Sequence, residues 1–241
     1  MSLMSNLFPN NPEFKLWAII PAAGSGSRFS KTELKQYQIL QGQTVLEHTI
    51  KRINALPLEG YVLALGEQDS FAQTLAFAEP EKAHFCVGGR ERVHSVYHAL
   101  TYLSQIASEN DWVFVHDAAR PCVSVDCLQA LVNTALSTQH SAILAIPVRD
   151  TLKLVDDHAQ IEKTVSREAL WQAQTPQIAR LGQLKSAIEQ AIVAGVSITD
   201  EASALEYIGE HVAVVMGRSD NIKITYPDDL VLADLILQSQ I

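Results

Sequence analysis

Cysteine is scarce in this chain: three in 241 residues, Cys86, Cys122 and Cys127, with no CxxC pair. An odd, scattered set does not build a disulfide framework or a cysteine-bound zinc site, and it fits a reducing compartment, so the expected location is cytoplasmic. Long apolar runs are absent too. None approaches the roughly 18 residues of a membrane span, and the first residues lack the basic-then-apolar layout of a signal peptide. Positive charge is in deficit, with 18 Lys+Arg against 27 Asp+Glu and a net charge of −9. Nucleic acid and membrane surfaces are therefore not expected partners, and any polyanionic substrate must be met by a local cluster of cations. The Walker pattern GxxxxGK[ST], the GxSxG elbow and HExxH are all missing, which removes the best-marked routes to P-loop, serine-hydrolase and zinc-protease chemistry.

What is present is ordinary globular material, 47% hydrophobic and 19% charged, long enough for one large α/β domain spanning residues 1–241. Residues 1–15, polar and carrying Pro9 and Pro12, are expected to be flexible. Short apolar runs at 16–20, 61–65, 84–87, 112–116 and 142–146 read as buried strands. Segments 44–56, 69–78, 93–103 and 124–136 read as helices between them. That alternation predicts a mostly parallel mixed sheet with helices on both faces. It breaks between 148 and 176, where β-prone segments 151–155 and 161–165 flank Asp156-Asp157-His158-Ala159-Gln160 and read as a protruding hairpin arm. Helices over 181–194 and 200–208, strands over 212–215 and 222–225, and a helix over 228–238 complete the expectation.

The candidate site starts at Pro21-Ala22-Ala23-Gly24-Ser25-Gly26-Ser27-Arg28, directly after the first strand. Glycines there let the backbone approach a phosphate, and Arg28 and Lys35 can face the same anion. A tight turn alone would also account for the glycines, as the less favoured reading. Phe29 stands where the third glycine of GxGxxG would be, which disfavours a dinucleotide-binding oxidoreductase. Asp117 follows an apolar strand, where open α/β sheets bind ligands and where turn residues also occur. Lys223, between two isoleucines, suits either an edge strand or a site; Arg167, past the hairpin, suits either a surface or a site. His94 and His98 share a helix face at i, i+4 but have no third ligand nearby in sequence. His116 reads as a core histidine, and Trp112 and Trp171 as packing residues, Trp171 at a subunit contact.

Taken together, these blocks resemble one family. Pro21-Ala22-Ala23-Gly24-x-Gly26-x-Arg28 with Lys35-Gln36-Tyr37 is similar to the signature of sugar-nucleotide-type nucleotidyltransferases. Gly88-Gly89-x-x-Arg92-x-x-Ser95-Val96, Val115-His116-Asp117-Ala118-Ala119-Arg120-Pro121, Pro147-Val148-Arg149-Asp150-Thr151, Gln174-Thr175-Pro176-Gln177, Thr199-Asp200-Glu201-Ala202-Ser203 and Asn221-Ile222-Lys223 narrow it. They resemble the 2-C-methyl-D-erythritol 4-phosphate cytidylyltransferases of non-mevalonate isoprenoid synthesis. Leu34 and Arg90 depart from that pattern, which usually has proline before the lysine and in some members an acid after the glycine pair.

The resemblance implies a Rossmann-like three-layer fold of the nucleotide-diphospho-sugar-transferase type, with residues 148–176 as an arm joining a homodimer. It implies CTP and a polyol phosphate as substrates and Mg²⁺ as the divalent cation, carried on the phosphates with no protein ligand assigned. Arg28 and Lys35 are then expected to stabilise the transition state, and Arg167 and Lys223 to position the polyol phosphate, Arg167 from the partner's arm. Asp117, Thr151 and Thr175 are expected beside that substrate, and Ala22, Ala23, Gly24, Gly26, Gly89, Ser95 and Ala118 beside the nucleotide. Another polyol phosphate, such as ribitol 5-phosphate, is the alternative substrate, and a nucleotide-binding regulator without catalysis is the reading from another class. The chemistry suits the residues: a phosphate monoester has a second pKa of about 6 and needs no general base near neutrality.

Overall fold

The structure, a computed structural model, describes residues 14–24, 28–30 and 33–240. In chain order the elements are β1 (Leu16–Pro21), β2 (Ile39–Leu40), β3 (Gln43–Thr44), α1 (Val45–Ile53), β4 (Gly60–Leu65), β5 (Ala83–Val87), α2 (Arg92–Leu103), β6 (Trp112–Val115), α3 (Val125–Thr138) and β7 (Ser141–Pro147). They continue with β8 (Leu152–Val155), β9 (Ile161–Val165), β10 (Trp171–Arg180), α4 (Leu181–Val193), α5 (Glu201–Tyr207), β11 (Val212–Met216) and α6 (Asp229–Ser239).

Seven strands form one sheet in the order β11-β7-β10-β6-β1-β4-β5. All neighbours pair in parallel except β10, which runs antiparallel to both β6 and β7. The mostly parallel mixed sheet expected from the alternation is what forms. Strand alternation splits β1 between two cores. Leu16, Ala18 and Ile20 face a cluster with Leu46, Ile50, Leu128 and Leu131 of α1 and α3. Trp17 and Ile19 face another with Val96, Leu100, Leu184 and Ile188 of α2 and α4. Both faces are covered, so the strands read as unbroken apolar runs. Helix α1 starts on a capping box: the Glu47 N–H donates to Thr44 Oγ1 at 3.1 Å and the Thr44 N–H to Glu47 Oε2 at 2.7 Å, contacts worth about 1 kcal/mol.

Four expectations are corrected or extended. Residues 69–78 are not a helix; only a single 3₁₀ turn, Ala72–Thr74, forms. Backbone groups a helix would use are taken elsewhere: the Ala76 N–H donates to Glu47 Oε1, and the Ala78 carbonyl accepts from Asn54 Nδ2 and the Tyr61 hydroxyl. Residues 222–225 take no regular secondary structure and join no sheet. The Ile224 N–H donates to the Ala119 carbonyl, while the Ile224 carbonyl accepts from Lys35 Nζ. Strand β10 is absent from the sequence reading. Its ladder is interrupted between Ala173 and Gln177, and the interruption accommodates Pro176, which has no N–H to give. Of the N-terminal stretch expected to be flexible, residues 1–13 lie outside the described residues. Phe14 packs on the core, and the Lys15 carbonyl accepts from the Trp112 N–H.

The hairpin is as expected: β8 and β9 pair antiparallel with each other in a two-stranded sheet of their own. The chain moves from β1 to one side (β4, β5) and then to the other (β6). The carboxyl ends of β1 and β6 therefore flank a topological switch point, where such sheets bind ligands.

Candidate active site

A cleft of about 150 Å³ opens at that switch point, where open α/β sheets take their ligands. One wall is the segment after β1. The Ala22 N–H donates to the Ala64 carbonyl at 2.8 Å, and Gln36 Nε2 donates to the Ala22 carbonyl at 3.0 Å, tying this segment to the lysine turn. The facing wall is Gly88–Ser95. There the Gly89 N–H donates to the buried Ser95 hydroxyl at 3.0 Å. A Cβ on Gly88 would run into Ala23 Cβ and lie 2.9 Å from Ser95 Oγ; one on Gly89 would run into His94 Cβ. Both glycines are there for close approach.

The floor is Asp117–Ala119, where the charge concentrates. Asp117 is buried, and its two oxygens serve three cations. Arg92 Nε donates to Oδ1 at 3.0 Å; Lys223 Nζ at 2.9 Å and Arg120 Nε at 3.3 Å share Oδ2. Burial alone would raise the pKa of this carboxyl, but Arg92, Lys223 and Arg120 together hold it well below the usual carboxylate range. Lys35 donates to the Ile224 carbonyl at 2.8 Å. Burial first, then its neighbours Lys223, Arg28 and Arg120, push its ammonium down to about 8 against the pull of Asp117. The site thus holds Lys35 and Lys223 as neighbouring cations with unspent N–H groups.

Beneath the floor runs a chain of hydrogen bonds with defined direction. Burial pushes His116 down to about 4, so it is neutral. Its Nε2 faces the Arg120 carbonyl at 3.1 Å, an acceptor only, so Nε2 carries the proton. Nδ1 then accepts from the Thr175 hydroxyl at 3.0 Å, and that hydroxyl accepts the Asp117 N–H at 3.0 Å. His116 is a core histidine, as the sequence suggested, and it locks the backbone of Asp117.

The cleft brings together Ala22, Ala23, Gly24, Lys35, Gly89, Ser95, Asp117, Ala118 and Lys223. Arg28 is exposed, close enough to Lys35 to act on its charge. Gly26 lies outside the described residues. Thr175 is buried behind Asp117, its hydroxyl committed as above. Thr151, at the base of the arm, and Arg167, on it, are exposed and do not line the cleft within one chain. Of the tryptophans, Trp112 is fully buried, whereas Trp171 is 42% exposed.

A family model described as "IspD: 2-C-methyl-D-erythritol 4-phosphate cytidylyltransferase" matches residues 16–239. The chain belongs to this family. A 2-C-methyl-D-erythritol 4-phosphate cytidylyltransferase of Acinetobacter baumannii (strain SDF) is 70% identical over 237 residues, 98% of this chain and 100% of its own. One from Acinetobacter baylyi is 66% identical over 95% of both chains. A crystal structure of 4-diphosphocytidyl-2C-methyl-D-erythritol synthase superposes with a TM-score of 0.81 at 35% identity, covering 93% of this chain and 99% of that one. The Francisella tularensis cytidylyltransferase gives 0.78 at 38% identity, covering 92% and 99%.

Three charged groups of this cytidylyltransferase-family site, Arg92, Arg120 and Glu201, stand inside the sequence motifs with nothing there to give them a role. Arg120 meets Asp117 three positions away, but Arg92 reaches Asp117 across 25 positions and Glu201 across 109, separations no local pattern discloses.

Proposed function

We propose that this cleft joins CTP to 2-C-methyl-D-erythritol 4-phosphate by direct displacement, giving 4-diphosphocytidyl-2-C-methyl-D-erythritol and pyrophosphate. A phosphate oxygen of the polyol forms the new bond to the α-phosphorus of CTP. The bond from that phosphorus to the bridging oxygen of the β-phosphate breaks, and its electron pair leaves with pyrophosphate. No proton need be removed, because the attacking monoester is already a dianion at neutral pH. The barrier is repulsion: two unit charges at about 4 Å cost on the order of 4 kcal/mol at an effective dielectric near 20. Cations positioned in advance remove much of it. The observation that carries this reading is the cluster of Lys35, Lys223, Arg92 and Arg120 around one buried carboxylate at the β1/β6 switch point.

In this reading the glycine-lined walls take the nucleotide, Arg28 and Lys35 face the α-phosphate, and Lys223 meets the polyol phosphate. Asp117 holds the cations in place rather than abstracting a proton, since three cationic partners lower its pKa and make it a poor base. Mg²⁺ enters as part of the nucleotide substrate. Among the described residues no three His, Cys, Asp or Glu side chains gather in a set able to hold a metal. Asp117, the buried acid on the cleft floor, has both oxygens occupied by cations. Phosphate oxygens and water suit the ion better than these side chains, and on the triphosphate it would shield charge.

The arm supports a homodimer, and the free cysteines Cys86, Cys122 and Cys127 support a reducing, cytoplasmic location. The arm carries Leu154, Val155, Ile161, Leu170 and Trp171 as exposed apolar side chains, more than an isolated hairpin leaves uncovered. Arg167 sits among them, and from a partner it would bring a further cation, with Thr151, to the polyol side. Among the described residues no helix is long and apolar enough to cross a membrane. The test is pyrophosphate release with each nucleoside triphosphate against each polyol phosphate in Mg²⁺. CTP with 2-C-methyl-D-erythritol 4-phosphate should be the productive pair; equal or better turnover of ribitol 5-phosphate would displace this assignment.

A further inference from the structure

Helix α5 carries a carboxylate that the displacement itself does not use. Glu201 is 2% exposed, and both its oxygens are gripped by one guanidinium: Arg92 Nη1 at 2.7 Å and Nη2 at 3.0 Å. A buried negative charge beside a site for two polyanions opposes their binding, so its presence needs a reason. We propose that Glu201 is a positioning residue: by holding both terminal nitrogens of Arg92, it leaves only Nε for Asp117 and so keeps Arg92 off Asp117 Oδ2, the oxygen Lys223 uses.

Asp117 offers two oxygens to three cations, and the division between them is specific. Arg92 takes Oδ1 through Nε alone; Lys223 takes Oδ2 at 2.9 Å and shares it with Arg120 at 3.3 Å. A guanidinium prefers a carboxylate as a fork, through two parallel N–H groups. Released from Glu201, Arg92 would make that fork on Asp117 and displace Lys223 from Oδ2. With Glu201 in place the fork is already used. The grip is also built from the sheet. Gln177 of β10 donates from Nε2 to Asp200 Oδ2 at 2.9 Å and accepts the Ala202 N–H at 2.9 Å, while Asp200 caps the helix by accepting the Ser203 N–H at 3.0 Å. Glu201 sits between these anchors. Burial disfavours the charge on Arg92, but Glu201 first and Asp117 second outweigh it and hold the guanidinium above its ordinary value. Arg92 therefore remains charged and fixed, and Lys223, 36% exposed along its side chain, keeps its other N–H groups toward the cleft.

This inference rests on the reading that Lys223 meets the polyol phosphate, and one set of assays separates the two. Steady-state kinetics of Glu201→Gln, which keeps the shape and removes the charge, should show KM for 2-C-methyl-D-erythritol 4-phosphate raised at least tenfold. KM for CTP should stay within about twofold. Arg92→Lys keeps a cation without the fork, and adding Glu201→Gln to it should change the polyol KM by less than twofold further, because Glu201 acts only through that fork. Should Glu201→Gln fail to fold, Glu201→Asp, too short to hold both nitrogens, should show the same selective rise at smaller size. A loss confined to kcat with both KM values unchanged, a rise shared equally by both substrates, or multiplicative effects in the double variant would each overturn the proposal. Inactivity of the unmodified enzyme with this substrate pair would instead overturn the functional reading beneath it.

Discussion

Lys35 should take up a proton when CTP binds. Its ammonium is held down to about 8 by burial and by the positive charges of Lys223, Arg28 and Arg120. A shift of that size, from 10.5, represents about 3 kcal/mol of unfavourable interaction with the charged form. An opposite charge within reach of such a group raises its pKa by about 1–3 units, so a bound triphosphate returns Lys35 to roughly 9–11. The uptake then follows from the two protonation curves: about 0.1 proton at pH 7 and about half a proton or more at pH 8.5. The nucleotide does not obscure this, because phosphates with a second pKa of about 6 are fully ionised at pH 8.5. Isothermal titration of CTP in two buffers of different ionisation enthalpy reads the number directly. Lys35→Met should abolish the uptake. A proton count that stays flat between pH 7 and 8.5, or one that survives in the variant, would refute the placement of Lys35 against the phosphates. The sign for folding is opposite to that of a paired lysine. A lowered folded-state value means that the cost is present below pH 8 and fades as pH rises towards 10.5, so Lys35→Met should also melt higher at pH 7.

Other consequences can be checked alongside. Asp117→Asn leaves three cations around a neutral amide and should lower stability by about 3 kcal/mol or more, seen in chemical denaturation. Because Asp117 is depressed in the fold, its contribution is present above the unfolded carboxyl value of 3.8 and is lost as pH falls below it; the variant should therefore lack the wild type's loss of stability in that acid range. Gly88→Ala drives a methyl into Ala23 and Ser95 and should cost about 1–3 kcal/mol by overpacking, with a raised KM for CTP; an unchanged melting curve and KM would contradict the close approach. If Arg167 serves the neighbouring subunit's cleft, mixing inactive Lys35→Ala and Arg167→Ala chains should restore up to a quarter of wild-type activity through one intact site per heterodimer. Mixtures that stay inactive, or a fully active monomer in sedimentation, would remove the arm from the site.

Much of this was legible in the chain because the strands are buried on both faces and announce themselves as apolar runs. The glycine walls and Lys35, Asp117 and Lys223 were legible as motifs, and the cleft gathers them. Strand β10 was hidden because only Ile178 and Ala179 of its buried stretch are apolar core residues, while Gln174, Thr175 and Gln177 beside them are polar, and partners far away in sequence make their burial possible. The helix expected over 69–78 failed because Glu47, Asn54 and Tyr61 claim its backbone groups. Segment 222–225 failed as a strand for a related reason, its carbonyl at Ile224 being reserved for Lys35. Local pattern records propensity; it does not record which distant side chain will take a backbone group.

The central claim is that the polyol phosphate attacks the α-phosphorus directly, with cations and no protein nucleophile. Turnover of CTP carrying a single sulfur diastereomer at the α-phosphorus tests it most directly. One in-line displacement predicts inversion at that phosphorus in the 4-diphosphocytidyl product. Retention would require two displacements through a covalent enzyme intermediate, and it would contradict the account.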